Sequence, residues 1–334
     1  MSKEHYIIPI FVPHWGCPHD CVFCNQQEIT GQKKRITSRK VKTIIDEYLA
    51  TIPATAQKIE VAFYGGSFTG IKPEYQIDLL AAAKSYLQRG EITGIRLSTR
   101  PDYIDEQILE RLKKYGVQTV ELGVQSLDNE VLRAAGRGHT REQVIAASEQ
   151  VKAAGFDLGI QIMPGLPNSS KESDLATGEQ VVDLAPDFVR IYPTLVLEGT
   201  ELVDMYRAGD YQPLELEAAV KLSVELLKLF RAVGISVIRI GLQPSAGINQ
   251  EQVVSGPFHP AFRQLVEARL MLERVVAAAD LPADKLQITV NPRDVSIVRG
   301  QKNKNLQVLQ TKYEIEEVAI TTNSQLARGQ IKVD

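Results

Sequence analysis

Cys17, Cys21 and Cys24 are the only cysteines in the chain, and all three fall in the run Gly16-Cys-Pro-His-Asp-Cys-Val-Phe-Cys-Asn25. Thiolates gathered this tightly hold metal. Two chemistries fit the C-x3-C-x2-C spacing. An iron–sulfur cluster on three thiolates leaves one iron without a protein ligand, and an open coordination position is where a reactant can bind. A structural zinc site would instead recruit His14 or His19 as the fourth ligand and close the sphere. With every cysteine committed to one motif, no disulfide is expected, as in a reducing compartment.

Further along the chain, polar and glycine-rich phrases recur at regular intervals. Phe63-Tyr-Gly-Gly-Ser-Phe-Thr-Gly70 contains the pair Gly65-Gly66, which removes side chains so that backbone groups can approach a ligand. Leu97-Ser-Thr-Arg-Pro-Asp102, Gly123-Val-Gln-Ser-Leu127, Gly136-Arg-Gly-His-Thr140, Gln161-Ile-Met-Pro-Gly-Leu-Pro-Asn168 and a run beginning Arg190-Ile-Tyr-Pro follow.

The elements that must position these phrases are readable from periodicity. Short apolar runs alternate with amphipathic stretches, the pattern of strand–helix units on a parallel sheet. Strands are expected at 6–12, 59–64, 94–99, 119–124, 156–163 and 187–192, with a further one at 235–240. Helices are expected at about 38–50, 74–87, 105–114, 128–135, 140–154, 170–183 and 215–232, opened by Ser38, Asp105, Thr140 and Ser170 and stopped by Gly90, Gly116, Gly155 and Gly234. The fold class is therefore α/β, a partial (open) TIM-type barrel of about six strand–helix repeats. A closed eight-fold barrel and a doubly wound sheet share the same alternation. In each, function gathers at the carboxyl ends of the strands, and every phrase above except Gly136-Arg-Gly-His-Thr140, which follows the helix at 128–135, lies at a strand end. Tyr64, Met163, Arg190 and Tyr192 stand at those ends as candidates for substrate contact or catalysis.

The division expected is 1–245 for the barrel and 246–334 for a small carboxyl-terminal α/β extension. In the extension a long helix ends near Ala279, and β-like runs follow at 286–290, 295–299, 306–310 and 318–322. His259 is expected to pack at the junction with the barrel, His139 at the cavity edge, and Trp15 to shield the cysteine loop. At 44% apolar residues the chain can bury one large core plus a small one, and a net charge of −3 gives no bulk attraction to polyanions. Two basic runs stand out. Gln32 to Lys42 carries six cations and no acid, and Arg299 to Lys312 carries four. Neither a secretory leader nor a membrane-spanning run is visible, so a cytoplasmic location without membrane contact is expected.

The cysteine spacing is that of radical S-adenosylmethionine (SAM) enzymes. Gly-Val-Gln-Ser, Arg-Gly-His-Thr, Met-Pro-Gly-Leu-Pro-Asn and Ile-Tyr-Pro-Thr-Leu-Val resemble the radical SAM domain of the Elongator catalytic subunit, in order, over about residues 5–245. Oxygen-independent coproporphyrinogen oxidase is similar in pattern. The resemblance implies a 4Fe–4S cluster on Cys17, Cys21 and Cys24, reductive cleavage of SAM to a 5′-deoxyadenosyl radical, hydrogen abstraction from a substrate, and an external electron donor. It implies SAM contacts from Phe23 (adenine), Gly65, Gly66 and Ser67 (the glycine–glycine–acid motif, with serine for the acid), Ser98 (where relatives have glutamate), Gln125 (ribose), Arg137 (carboxylate) and Gln161 (where the porphyrin enzyme has an acid). The expected activity is a radical SAM reaction on an unidentified substrate, with tRNA or RNA modification as the favoured version. The Elongator subunit's acetyl-CoA domain is not expected in residues 246–334. A porphyrin-like small-molecule substrate and a non-catalytic zinc- or RNA-binding module are the competing functions.

Overall fold

The strand-to-strand alternation of apolar and polar residues sets the architecture. The computed structural model describes residues 5–12, 21–24, 35–242, 244, 249 and 251–334. Its main sheet takes its strands in chain order: β1 (His5–Val12), β2 (Lys58–Gly65), β3 (Gly94–Thr99), β4 (Val117–Gln125), β5 (Asp157–Ile162), β6 (Phe188–Ile191) and, past a two-residue strand β7 (Val196–Leu197), β8 (Ser236–Ile240). All neighbours are parallel. The sheet is strongly curled, but β1 and β8 remain its edges, so it is an open half-barrel of seven strands. The run at 235–240, expected as a further strand beyond six, closes the series.

Successive residues of a strand face opposite sides. Val61 and Phe63, Ile95 and Leu97, Val120 and Leu122, Ile160 and Ile162, and Val189 and Ile191 belong to one continuous core with Leu79, Leu80, Val144, Leu227 and Phe230 of the covering helices. The intervening positions, which line the concave side, hold Glu60, Arg96, Ser98, Glu121, Gln161 and Arg190. A strand that is apolar on its helix face and charged on the other is the signature of a barrel with a working interior.

The helices lie where their caps direct. Asp105 accepts from the Ile108 amide, and Thr140 and Ser170 each close a reciprocal capping box with Gln143 and Ser173. At the first helix, Ser38–Leu49, the cap is Thr37 and not Ser38: the Thr37 hydroxyl accepts from the Lys40 amide, which places Ser38 inside the first turn.

The helix Phe262–Ala278 is shared between two cores. Phe262, Val266 and Leu270 pack into the barrel core, whereas Met271, Leu272 and Val275 pack with Leu286, Ile288, Val290, Val298 and Leu309. The second core underlies a small sheet of β10 (Lys285–Val290), β11 (Glu317–Thr322) and β12 (Ile331–Val333), in the order β11-β10-β12. A third pairing joins β7 to β9 (Val253–Ser255). Two expected strands are helices: 295–299 is the helix Val295–Arg299, and 306–310 lies in the helix Lys304–Lys312. Asn291 and Pro292 turn the chain at the end of β10, with the Asn291 side chain accepting from the Arg293 amide. Both runs instead turn one apolar side, Val298 and Leu309, into the second core beneath the sheet. No helix among the described residues is long and apolar enough to cross a membrane.

Candidate functional site

The site begins where β1 ends. Cys21 is buried and Cys24 half-buried, in a turn closed by the Cys24 amide donating to the Cys21 carbonyl at 2.8 Å. Cys17, His14, Trp15 and His19 lie outside the described residues. The turn is stitched to two distant segments: the Val22 amide donates to the Ala135 carbonyl (3.2 Å), and the Leu202 amide donates to the Val22 carbonyl (2.7 Å).

Two guanidinium groups face the Cys21 sulfur, with Arg137 Nη1 at 3.5 Å and Arg100 Nη1 at 3.9 Å. Arg100, at the end of β3, is fixed by a fork onto Asp102 (2.8 and 3.0 Å) and by donating to the Arg137 carbonyl. Arg137 donates through Nη2 to the Gly123 carbonyl (2.6 Å), while its buried Nε–H has no hydrogen-bond partner among the described residues. A buried donor left unmet is rare and marks a place where a further acceptor belongs. Buried cations around a cysteine sulfur, with a donor to spare, suit a negatively charged metal–thiolate group and an anionic ligand beside it. The residues present therefore fit a 4Fe–4S cluster and SAM.

The glycine pair sits across from this point. Gly65 has φ +116°, and a Cβ there would lie 2.3 Å from the Val12 carbonyl oxygen, so only glycine lets the end of β2 close on the residue from which the cysteine loop departs. Ser67 is buried, its hydroxyl 2.7 Å from Thr99 Oγ1 and accepting from the Arg100 amide at 3.3 Å. It therefore anchors the arginine loop. On β4, Gln125 takes a left-handed φ of 71° at a register shift against β5, and its carboxamide accepts from Gln161 Nε2 at 2.7 Å. A non-glycine residue held in that region at a strand end is a strained, over-determined position of the kind found at ligand sites. The structure thus brings Gly65, Gly66, Ser67, Arg100, Arg137 and Cys21 to one end of the barrel, with Gln125 and Gln161 joined beside them. Ser98 stands half-buried on the concave face opposite Glu121 in register. Phe23 packs against the clusters that contain Val22 and Leu202 on one side and Met163 and Tyr192 on the other. His139 is buried, with Nε2 3.2 Å from the Val124 carbonyl, and His259 accepts from the Ala261 amide.

Below these groups a chain of ionic side chains, buried from Glu60 onward and met at its outer end by the partly exposed His5, crosses the concave face. His5 meets Glu60 (2.6 Å), Glu60 meets Arg96 (3.1 Å), Arg96 meets Glu121 (2.9 Å), and Glu121 meets Arg190 (2.6 Å). Arg190 reaches the hydroxyls of Tyr64 (3.0 Å) and Tyr192 (3.3 Å), and the Tyr64 hydroxyl donates to Glu121 at 3.2 Å. Burial works against the Glu60 carboxylate, yet Arg96, Lys58 and His5 together hold its pKa below the usual value. For Arg190, burial pulls the pKa down but is outweighed by Glu121 together with Tyr192 and Tyr64, so it rises. Burial, reinforced by the Glu121 charge, raises the Tyr64 phenol. The candidates Tyr64, Arg190 and Tyr192 thus form one cluster. Met163 belongs instead to an apolar patch with Val131, Ala135 and Leu166.

Sequence reasoning missed Arg100 and the partners Glu60, Arg96 and Glu121. A signal existed for the last three: each is a lone charge within an apolar strand, at the parity opposite to the core residues. Arg100 had none beyond its place in a strand-end turn.

The radical SAM superfamily model matches residues 12–177, and the model of the radical SAM C-terminal domain matches residues 186–272. Among curated proteins, the tRNA uridine(34) acetyltransferase of Methanocaldococcus infernus is 33% identical over 64% of this chain and 48% of its own length. Elongator complex protein 3 of Saccharomyces cerevisiae is 27% identical over 86% of this chain and 59% of its own. The chain thus spans roughly half of the curated relatives it matches. Among solved structures, the archaeal Methanocaldococcus infernus Elp3 with an N-terminal deletion superposes with a TM-score of 0.62 at 24% identity, covering 82% of this chain and 64% of that one. Methylornithine synthase superposes with a TM-score of 0.55 at 16% identity, covering 75% and 77%. Both share the fold.

Proposed function

The chain belongs to the radical SAM superfamily and is an enzyme with a 4Fe–4S cluster and SAM as cofactors, and from that premise we propose that its substrate is an RNA, modified by hydrogen abstraction at a nucleoside. The observation that carries the reading at the site is the Cys21 sulfur held between Arg100 and Arg137 beside the glycine pair. Support for RNA comes from the archaeal relative, named a tRNA uridine(34) acetyltransferase, and from the basic start of the helix that follows the cysteine loop, where Arg39 and Lys40 are exposed.

When bound, the cluster and SAM supply a one-electron reduction that yields a hydrogen-abstracting carbon radical. The chain's own part is orientation and exclusion of water. Cys17, Cys21 and Cys24 hold the cluster. The Gly65-Gly66 backbone would receive the amino group of SAM, and Arg137 its carboxylate, using the Nε–H left unmet among the described residues. Gln125, Gln161 and Ser98 hydrogen-bond the ribose hydroxyls, with Phe23 beside the adenine. The Arg190–Tyr64–Tyr192 cluster, fixed from beneath by Glu121, orients the substrate.

The test is anaerobic reconstitution followed by reduction and addition of SAM, with and without bulk tRNA, reading 5′-deoxyadenosine and the masses of the digested nucleosides. Iron loading and product that both vanish in Cys21→Ala, together with a shifted nucleoside mass only when tRNA is present, are expected. Turnover indifferent to RNA, with no nucleoside changed, would end the RNA reading and send the search to small molecules.

A further inference from the structure

The extension has a topology whose use lies outside the chemistry of the barrel. Between the adjacent parallel strands β10 and β11 stand two short helices, Val295–Arg299 and Lys304–Lys312, joined by the tight turn Gly300-Gln-Lys-Asn303. A strand–helix–helix–strand unit whose helices meet at a glycine-bounded four-residue turn is the arrangement by which KH modules clamp the backbone of about four single-stranded nucleotides. Here β12 completes the sheet on the far side of β10, and β11 is left as an edge.

We propose that this element is a docking site for single-stranded RNA, which it grips at the turn and leads to the mouth of the barrel. Four observations converge. First, Gly300, Lys302 and Asn303 have φ values of 69°, 53° and 61°. The left-handed residues carry the backbone around a turn with Gln301, Lys302 and Asn303 all exposed, and Asn303 occupies the second glycine's place because asparagine tolerates this conformation. Second, the turn is rigidly founded. Asn305 is buried and donates to the carbonyls of Ala268, Ile297 and Val298, tying both helices to the long helix beneath.

Third, the charge is one-sided. Arg299, Lys302, Lys304 and Lys312 are exposed and follow one another without an intervening acid, in a chain whose net charge is −3. Such a local excess fits a polyanion that bulk charge would not attract. Fourth, the turn lies on the rim that carries the chemistry. Gln301 contacts His259 at 3.2 Å, and His259 lines a small cavity with Pro193, two residues past β6, and Gly241, which directly follows β8. Lys304 acts electrostatically on Glu217, at the start of the helix that leads into β8. A strand held at Gly300–Asn303 is thereby delivered to the carboxyl ends of the barrel strands.

This inference deepens the reading of the enzyme as one acting on RNA, and its test is made independent of turnover. A fluorescein-labelled single-stranded RNA nonamer, its blunt duplex and the DNA of the same sequence are titrated against the full-length protein by anisotropy between 50 and 200 mM salt. Lys302→Asp and Lys332→Asp change the charge equally. Lys332 lies on β12, paired to β10 on the side opposite β11, and aspartate accepts the left-handed conformation at 302, so both variants should fold as the parent does, checked by their melting curves. The expected result is binding of the single strand in preference to the duplex. Lys302→Asp should weaken it about tenfold and shallow the logarithmic salt slope by about 0.7, and Lys332→Asp should stay within about twofold. Cys21→Ala should bind as the parent does even though it cannot turn over. No single-strand binding, duplex bound as well as single strand, or equal effects of the two lysine changes would each overturn the proposal. If the DNA is bound as tightly as the RNA, the clamp is proved but its restriction to RNA is refuted.

Discussion

Glu121→Gln should destabilise the barrel far more than the loss of a surface charge would. Glu121 is almost fully buried and accepts from Arg96 Nε (2.9 Å), Arg190 Nε (2.6 Å) and the Tyr64 hydroxyl (3.2 Å). Glu60, Arg96, Glu121 and Arg190 alternate in sign and sum to zero. A glutamine at 121 leaves one uncompensated cation in the interior and turns an amide donor toward guanidinium donors. Arg96 keeps Glu60, but Arg190 keeps only the hydroxyls of Tyr64 and Tyr192. Removing one partner of such a buried pair costs about 3–5 kcal/mol. Adding Arg190→Met in the same chain restores neutrality, and the double variant should recover at least about 2 kcal/mol of that loss. Urea unfolding of the four members of the cycle, followed by circular dichroism, reads both quantities. A single-variant loss below about 1 kcal/mol, or a double-variant loss equal to the sum of the singles, would refute the idea that these charges act as one compensated unit.

Arg137→Lys keeps the charge but not the fork, so the apparent KM for SAM should rise about tenfold or more in the 5′-deoxyadenosine assay; an unchanged KM would remove Arg137 from SAM binding. Gly65→Ala places a methyl group 2.3 Å from the Val12 carbonyl at φ +116°, and should cost at least about 2 kcal/mol in urea unfolding; parental stability would show that β1 and β2 do not close as described. Burial raises the Asp174 carboxyl to about 7, against the opposing amide of Gly165. The folded state then keeps a proton that the unfolded chain has released, so stability falls as pH rises from about 4 to 7 and levels off above. Asp174→Asn should flatten this dependence, removing about 2 kcal/mol of the change between pH 5 and 7; parallel pH profiles for the two proteins would contradict it.

The barrel was legible because each of its strands is bounded by punctuation and each intervening helix carries its own cap. Asp105, Thr140 and Ser170 are local signals, and the structure uses them locally. The extension was harder. Val295-Ser-Ile-Val298 and Leu306-Gln-Val-Leu309 are short and rich in branched residues, and periodicity cannot separate helix from strand over so few positions. What decides them is tertiary: Val298 and Leu309 turn into a core shared with the helix Phe262–Ala278. The strand-end phrases come together in the structure, where Gly65, Ser67, Gln125 and Arg137 converge at one end of the barrel. The partners chosen by those residues were not legible. That Ser67 would hold the Arg100 loop, or that Glu121 would lie between two arginines, depends on which strands become neighbours and in what register.

The seat of Cys21 also has a consequence in time. The sulfur faces Arg100 and Arg137, and its turn is tied to Ala135 and Leu202. Every one of these partners is made after the cysteines, the last of them roughly 180 residues later, which at about 5–20 residues per second is roughly 10–35 s of synthesis. Throughout that interval the thiols of a nascent chain have no cradle, and a cluster placed on them would be held by sulfur alone. Maturation of this enzyme is therefore ordered by its fold: the half-barrel reaches at least the helix that begins at Glu201 before the metal site can be enclosed.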